Sequence, residues 1–214
     1  LGETIPNFHN TASRYRDFEQ AVKENASGRA DEVREEIAFI RARAADCSIL
    51  TDLLAKGELP LRVTHNDTKL NNVMLDDVTG RPVCVIDLDT VMPGLSLYDY
   101  GDSMRFGTNP AAEDETDLSK VTCDLNLFEQ YTKGFLEECG SMLTPQEIEN
   151  LPLSAKLMTL ECGMRFLADH IAGDTYFKIH REGHNLDRCR TQLKLVADME
   201  AKMDTMKQIV EKYR

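Results

Sequence analysis

The stretch Thr64-His65-Asn66-Asp67-Thr68-Lys69-Leu70-Asn71-Asn72-Val73, followed by Val85-Ile86-Asp87-Leu88-Asp89-Thr90, decides how this chain is read. Polar residues crowd between short apolar runs. Val63, Val73, Val83, Val85 and Ile86 fall in strand-like pieces, separated by Asn71-Asn72 and by the turn-like Asp76-Asp77-Val78-Thr79-Gly80. A lone aspartate in a loop is most often a turn former. Here Asp67 and Asn72 stand five residues apart with Lys69 between them, and Asp87 ends the next hydrophobic strand. Phosphoryl transfer from a nucleotide needs a carboxylate to accept the nucleophile's proton, oxygen ligands for Mg²⁺, and a cation for the moving phosphoryl. The two loops contain candidates for all three.

Outward from these loops the chain reads as helix. Phe8, Tyr15, Phe18 and Val22 form a stripe that breaks around Ser27-Gly28. Val33, Ile37, Ile40, Ala44, Cys47, Leu50 and Leu54 recur at spacings of three and four, which predicts one long helix ending near Gly57. Met104 to Asp117 reads as a loop, and helix resumes near Leu118 and runs to about Cys139. Thr144-Pro145-Gln146-Glu147 is a helix start, with a capping oxygen, a proline at the first helical position and a glutamate three residues after the cap. Leu153, Leu157, Leu160, Met164, Leu167 and Ile171 then predict one long helix, or two joined near Pro152. Leu193, Val196, Met199, Met203, Met206 and Val210 give the last helix its buried side, with the methionines as core residues. The fold class is therefore mainly α with a few short β-strands.

Composition narrows the partners. The chain has 214 residues, 42% of them apolar, enough to build a core. Lys and Arg number 25 against 37 Asp and Glu, a formal net charge of −12 that repels a phosphate backbone and argues against nucleic acid. No apolar run reaches the roughly 18 to 20 residues that cross a bilayer, and no signal-peptide profile opens the chain, so the expectation is a soluble, cytoplasmic protein without a membrane partner. Six scattered cysteines, Cys47, Cys84, Cys123, Cys139, Cys162 and Cys189, form no C-x-x-C pair and read as reduced thiols.

The loop residues His65-x-Asp67 and Asn72, with Asp87 at the strand end, resemble the H-x-D-x-x-x-x-N catalytic loop and second metal ligand of the protein-kinase-like superfamily. Within it, His65-Asn66-Asp67 and Ile86-Asp87 look like the aminoglycoside phosphotransferase and choline kinase branch. The runs from Thr64 to Asn72, Asp87-Leu88-Asp89-Thr90-Val91-Met92-Pro93-Gly94 and Tyr98-Asp99-Tyr100-Gly101-Asp102 resemble bacterial N-acetylhexosamine 1-kinases, as do Glu161 to Leu167 and Gly173 to Lys178. That family makes the sugar 1-phosphate from N-acetylglucosamine or N-acetylgalactosamine and ATP.

The resemblance implies a role for each matching residue. Asp67 would orient the anomeric hydroxyl and accept its proton; Asn72 and Asp87 would hold Mg²⁺ and the nucleotide phosphates. Lys69 would steady the γ-phosphate, against the alternative of a solvated lysine. Asp89 would assist through a second metal or a water, or else cap its loop. Arg165 would reach sugar hydroxyls or the acetamido group, with a surface salt bridge as its competitor. Phe106 and Tyr176 would pack on the sugar ring or the N-acetyl methyl, or serve as core. His65 reads as a scaffold for the loop, and Asp99 and Asp102 as braces or caps.

A kinase of this type also needs an N-terminal lobe with a glycine-containing loop and a strand lysine over the phosphates. The residues ahead of Thr64 read as helices without either. The expectation is thus that residues 1–214 are a single helical C-lobe of a kinase-like fold, with the catalytic and metal loops at 64–90 and its partner N-lobe elsewhere. Alone it would be nearly inactive. Two alternatives stay open: a related kinase acting on choline, homoserine, an aminoglycoside or another sugar, and a non-catalytic kinase-like binding module.

Overall fold

The computed structural model describes residues 1–214. Eight α-helices and four short strands follow one another as α1 (Thr11–Glu24), α2 (Arg34–Arg41), α3 (Ile49–Ala55), β1 (Arg62–Thr64), β2 (Val73–Leu75), β3 (Pro82–Val85), β4 (Met92–Gly94), α4 (Ser96–Gly107), α5 (Leu125–Cys139), α6 (Pro145–Glu149), α7 (Leu151–Ala172) and α8 (His184–Tyr213). The mainly helical reading is what the structure has.

Helix α7 is the axis. Of its 22 residues, 17 are buried, so it must be covered on every side. One core cluster, including Leu97, Tyr100, Met104, Phe128, Leu157 and Met199, packs α4 and α5 against the first half of α7 and the second half of α8. Another, including Phe18, Ile40, Leu160, Met164, Leu167 and Val196, joins α1 and α2 to the other halves. At the α4–α7 crossing a Cβ on Gly101 would stand 2.5 Å from the Ser154 carbonyl oxygen, so only glycine allows this approach.

Three helix expectations need correction. The helix expected from Val33 to Gly57 is broken: 3₁₀ turns at Ala30–Val33 and Ala44–Ser48 flank α2, and α3 follows. The cause sits at Arg43. Its guanidinium takes the Phe39 carbonyl at 2.7 Å, while its backbone N–H turns to the Ile40 carbonyl. Ion pairs from Arg43 to Glu200 and from Asp46 to Lys156 then draw this segment onto α8 and α7. Met104 to Gly107, expected in a loop, are the last turn of α4, because Met104 is fully buried in the core. The rest of that loop is tied down by Arg105–Glu113, by His184–Asp114 and by Thr191 donating to the Glu115 carbonyl. The helix expected from Leu118 starts only at Leu125, because Asp124 caps it and Asp198 takes the Cys123 N–H and the Thr122 hydroxyl.

Elsewhere the helix signals hold, except that α1 starts at Thr11 and leaves Phe8 ahead of it, and that Met203 is only partly buried. Thr144 and Glu147 form a reciprocal capping box, and α6 and α7 meet beside Pro152. Val33, Ile37, Ile40, Cys47 and Leu50 are buried despite the breaks. All six cysteines are free thiols. No helix is long and apolar enough to cross a membrane.

Candidate active site

The strands pair in a nested order. β1 pairs antiparallel with β4, Thr64 opposite Met92, and β2 pairs antiparallel with β3, Val73 opposite Val85. The loop leaving β1 and entering β2 must therefore run beside the loop leaving β3 and entering β4. Four hydrogen bonds join them: Ile86 N–H to the Asn72 carbonyl at 2.9 Å, Thr90 Oγ1 to the His65 carbonyl at 2.7 Å, Asn66 Nδ2 to the Thr90 carbonyl at 2.9 Å, and His65 Nε2 to the Ile86 carbonyl at 2.9 Å. This nesting brings Asp67 and Asp87 into one region although twenty residues separate them.

Helix α4 braces the first loop from below. Asp99 and Asp102 lie three apart and so share a helix face. The Asp99 carboxylate accepts the backbone N–H groups of His65 at 2.9 Å and Asn66 at 2.7 Å, and Asp102 accepts that of Thr68 at 2.9 Å. Thr68 Oγ1 returns a bond to the Asp99 carbonyl at 2.7 Å. Burial pushes the Asp99 carboxyl upward, against the pull of the two N–H groups. Of the two roles the sequence left open for them, brace or cap, both aspartates brace the loop. Asn66 itself takes a left-handed backbone, φ 65°, a conformation asparagine accepts more readily than most residues.

Asp67 projects from this frame, partly open to solvent. One carboxylate oxygen, Oδ2, accepts Lys69 Nζ at 2.8 Å and Asn72 Nδ2 at 2.9 Å. The hydrogen bond to Asp67 lifts the Lys69 ammonium above its ordinary pKa, and the charges of Asp67, Asp87 and Asp102 add to it against burial. His65 holds the loop through both ring nitrogens. Its Nδ1 accepts the Asp67 N–H at 3.3 Å, which leaves the proton on Nε2 for the Ile86 carbonyl.

The donor set fits a hard divalent cation. With its amide nitrogen spent on Asp67, Asn72 keeps Oδ1 for another partner. Asp87, in the left-handed region at φ 62°, and Asp89 are both exposed and have no cationic side chain bonded to them. Oxygen-only ligands of this kind suit Mg²⁺.

A cavity of about 510 Å³ opens on Asp67, Lys69 and Asn72. Its far wall is Ser103, Met104 and Thr108 from the end of α4 and beyond, with Leu127, Gln130 and Tyr131 of α5. These wall residues were not read from the sequence; α5 lies some sixty residues further along and carries no motif. Arg165, Phe106 and Tyr176 do not line this cavity. Arg165 forms no ion pair and instead lies among aromatic rings, 5.5 Å from Phe8, 5.4 Å from Phe177 and 6.0 Å from Tyr176. Tyr176 is 73% exposed, whereas Phe106 is half-buried in the last turn of α4. Burial pushes the thiol of Cys162, one turn before Arg165, up to about 12.

A carboxylate held between an ammonium and an amide, beside a second open carboxylate on a helical scaffold, belongs to the chemistry of phosphoryl transfer. Comparison with protein-family models matches residues 1–121 to the phosphotransferase enzyme family, APH. That is more than half of the chain, and the chain belongs to this family. The matched segment contains both loops and the bracing helix α4.

Proposed function

We propose that this chain is the helical C-terminal lobe of a small-molecule kinase that transfers the γ-phosphoryl group of ATP to the anomeric hydroxyl of an N-acetylhexosamine. The observation that carries this reading is the asymmetric environment of Asp67: Oδ2 is engaged by Lys69 at 2.8 Å and Asn72 at 2.9 Å, while Oδ1 has no partner within the protein. Oδ1 is the free acceptor for a hydroxyl proton. The sugar oxygen forms a bond to the γ-phosphorus as the bond to the ADP oxygen breaks, and its proton passes to Asp67.

Lys69 balances the charge of Asp67 before the reaction and reaches toward the transferring group. Asn72 and Asp87 would hold Mg²⁺, with Asp89 beside them; the ion supplies neutralisation of phosphate charge when bound. Arg165, which has no carboxylate of its own, is assigned to the acceptor's hydroxyl or acetamido oxygens. Tyr176 and Phe106 are assigned to its apolar faces on the resemblance alone, since neither lines the cavity at Asp67. The choice of an N-acetylhexosamine rests on the resemblance of the loop and flanking segments quoted above.

Placement as a C-lobe is supported by the surface around the loops. Val63, Leu70, Met74, Val83, Val85 and Leu88 are all at least half exposed and form an apolar rim on the strands and turns that carry the two loops. The two sheets are two-stranded ribbons, and neither has a glycine-rich loop or strand lysine to cover a nucleotide. An N-terminal lobe would supply that clamp and bury the rim.

The test is acceptor-dependent ADP release by the full-length enzyme with Mg²⁺ and ATP, comparing N-acetylglucosamine, N-acetylgalactosamine, galactose and choline, alongside Asp67→Ala. Turnover with the N-acetylated sugars, abolished in Asp67→Ala, is the expected result. Choline equal to or better than the sugars overturns the acceptor assignment and keeps the kinase. Turnover that survives in Asp67→Ala overturns the base.

A further inference from the structure

The peptide unit joining Asn66 to Asp67 is gripped at both edges by imidazoles. On one edge the Asp67 N–H donates to His65 Nδ1 at 3.3 Å. On the other, the Asn66 carbonyl lies 2.8 Å from Nε2 of His9, a residue from the segment ahead of α1 and 57 positions away. A carbonyl oxygen only accepts, so Nε2 of His9 carries the proton. A peptide unit is planar, and its C=O and N–H point in opposite directions. Fixing both ends fixes the rotation of the plane, and with it the direction in which the Asp67 Cα–Cβ bond leaves the loop.

His9 is itself locked. Nδ1 lies 2.8 Å from Glu161 Oε1 on α7, and Thr11 Oγ1 donates to Glu161 Oε2 at 2.6 Å. The side chains of His9 and Glu161 are 8% and 2% exposed, and the His9 ring packs 5.5 Å from Tyr98 and 4.6 Å from Phe8. Burial alone would strip His9 of charge, but the Glu161 carboxylate and the Asn66 carbonyl more than offset it and raise its pKa. A buried polar cluster of this kind is costly unless every group is satisfied. Its groups are satisfied, and its one connection to the loop ends on the residue before Asp67.

We propose that His9 is a positioning residue for phosphoryl transfer, with Glu161 and Thr11 setting its ring, so that α1 and α7 jointly aim the Asp67 carboxylate. The other contacts of Asn66 leave this task undone: its N–H goes to Asp99 and its side-chain amide to Thr64 and Thr90, none of which holds the carbonyl. The inference rests on the reading of Asp67 as the base.

Two conservative variants separate positioning from simple packing. In His9→Gln the side-chain amide nitrogen reaches the place of Nε2 and still donates to the Asn66 carbonyl. In His9→Asn the shorter chain reaches only the place of Nδ1, so the contact to Glu161 survives and the contact to Asn66 is lost. In the full-length enzyme kcat for His9→Asn falls by about 10- to 100-fold, as a displacement on the order of 1 Å at a reacting group does, with KM for both substrates within about 2-fold. His9→Gln recovers most of kcat. In parallel, amide hydrogen exchange at Asp67 accelerates in His9→Asn and not in His9→Gln, a readout that needs no substrate and holds even if turnover is absent.

Equal effects of the two variants on both kcat and exchange would reduce His9 to a packing residue and overturn the proposal. Wild-type kcat and exchange in His9→Asn would overturn it as well. Asp67→Ala, run beside them, keeps the two readings apart: a dead Asp67→Ala with a fully active His9→Asn sinks this inference alone, while an active Asp67→Ala sinks the base assignment.

Discussion

His65 donates Nε2–H to the carbonyl of Ile86 at 2.9 Å and so ties the loop that presents Asp67 to the loop that presents Asp87. The same ring accepts the Asp67 N–H on Nδ1, a tautomer that leaves it no lone pair for a substrate proton. His65→Gln should therefore lower kcat by about 10- to 100-fold, the usual cost of losing a group that orients others at a site. Turnover should persist in this variant at that reduced level, because Asp67 is still present to accept the proton. Initial-rate kinetics beside Asp67→Ala check this, and a loss as deep as that of Asp67→Ala would make His65 the base.

Lys69 and Asn72 share one oxygen of Asp67, and the proposed mechanism gives them different work. Lys69→Met removes the cation proposed to face the transferring group, and kcat should drop by about 10²- to 10³-fold, as loss of one preorganised charge-stabilising donor does. Its demand for Mg²⁺ should stay near that of the parent. Asn72→Ala removes both the bond to Asp67 and the free Oδ1, so the Mg²⁺ concentration for half-maximal rate should rise by about 10- to 100-fold. Titrating Mg²⁺ against initial rate separates the two, and identical titration curves would remove Asn72 from the metal site. Chelation of Mg²⁺ should abolish turnover in the parent and in both variants.

How far these features could be read from the sequence depends on whether their partners are local. The two loops were legible because Asp67, Lys69 and Asn72 sit within six residues and the flanking valines mark the strands. The capping box at Thr144 and the stripe of α7 were legible for the same reason. The break after α2 was not, because a 3₁₀ turn keeps Cys47 and Leu50 on the buried side as well as an α-helix would; the decisive contacts, Arg43 to Glu200 and Asp46 to Lys156, join residues more than a hundred positions apart. His9 and Glu161 are 152 positions apart and neither carries a motif that points to the other. Tyr131 and Gln130 reach the Asp67 cavity only through the packing of α5 on the core.

Glu147 offers a pH test of how β1 is held. Besides closing the capping box it accepts Arg62 Nε at 2.6 Å and Ser96 Oγ at 2.7 Å, and so joins α6 to β1 and to the start of α4. Burial opposes its charge, but Arg62, the Thr144 N–H and Ser96 together hold its carboxyl down at about 2, from an ordinary value of 4.5. The depressed value gives the sign: the contribution to stability is complete above about pH 4.5 and is lost as pH falls from there toward 2. Glu147→Gln should cost about 2 kcal/mol near neutral pH, the worth of hydrogen bonds to a charged group, and the gap to the parent should close on acidification. Urea unfolding at pH 7, 5 and 3 measures it. A gap constant with pH would mean that the carboxylate charge contributes nothing.

Gly94 ties stability to catalysis at a single atom's distance. It ends β4 opposite Arg62, and a Cβ built there would lie 2.3 Å from Thr64 Oγ1 and 3.1 Å from Asn66 Oδ1. Those two oxygens bond each other at 3.0 Å, and Thr64 is almost fully buried, so neither can swing away freely. Gly94→Ala must push the Thr64–Asn66 pair, and Asn66 carries the peptide that aims Asp67. Overpacking of this kind should destabilise the fold by about 1 to 3 kcal/mol. It should also lower kcat well below what the remaining folded fraction explains, with KM little changed. Thr64→Ala in the same chain removes the struck hydroxyl, so the double variant Gly94→Ala/Thr64→Ala should regain part of both losses. Chemical unfolding and initial-rate kinetics on the four members of this cycle decide it: strictly additive losses would show that Gly94 acts through some contact other than Thr64.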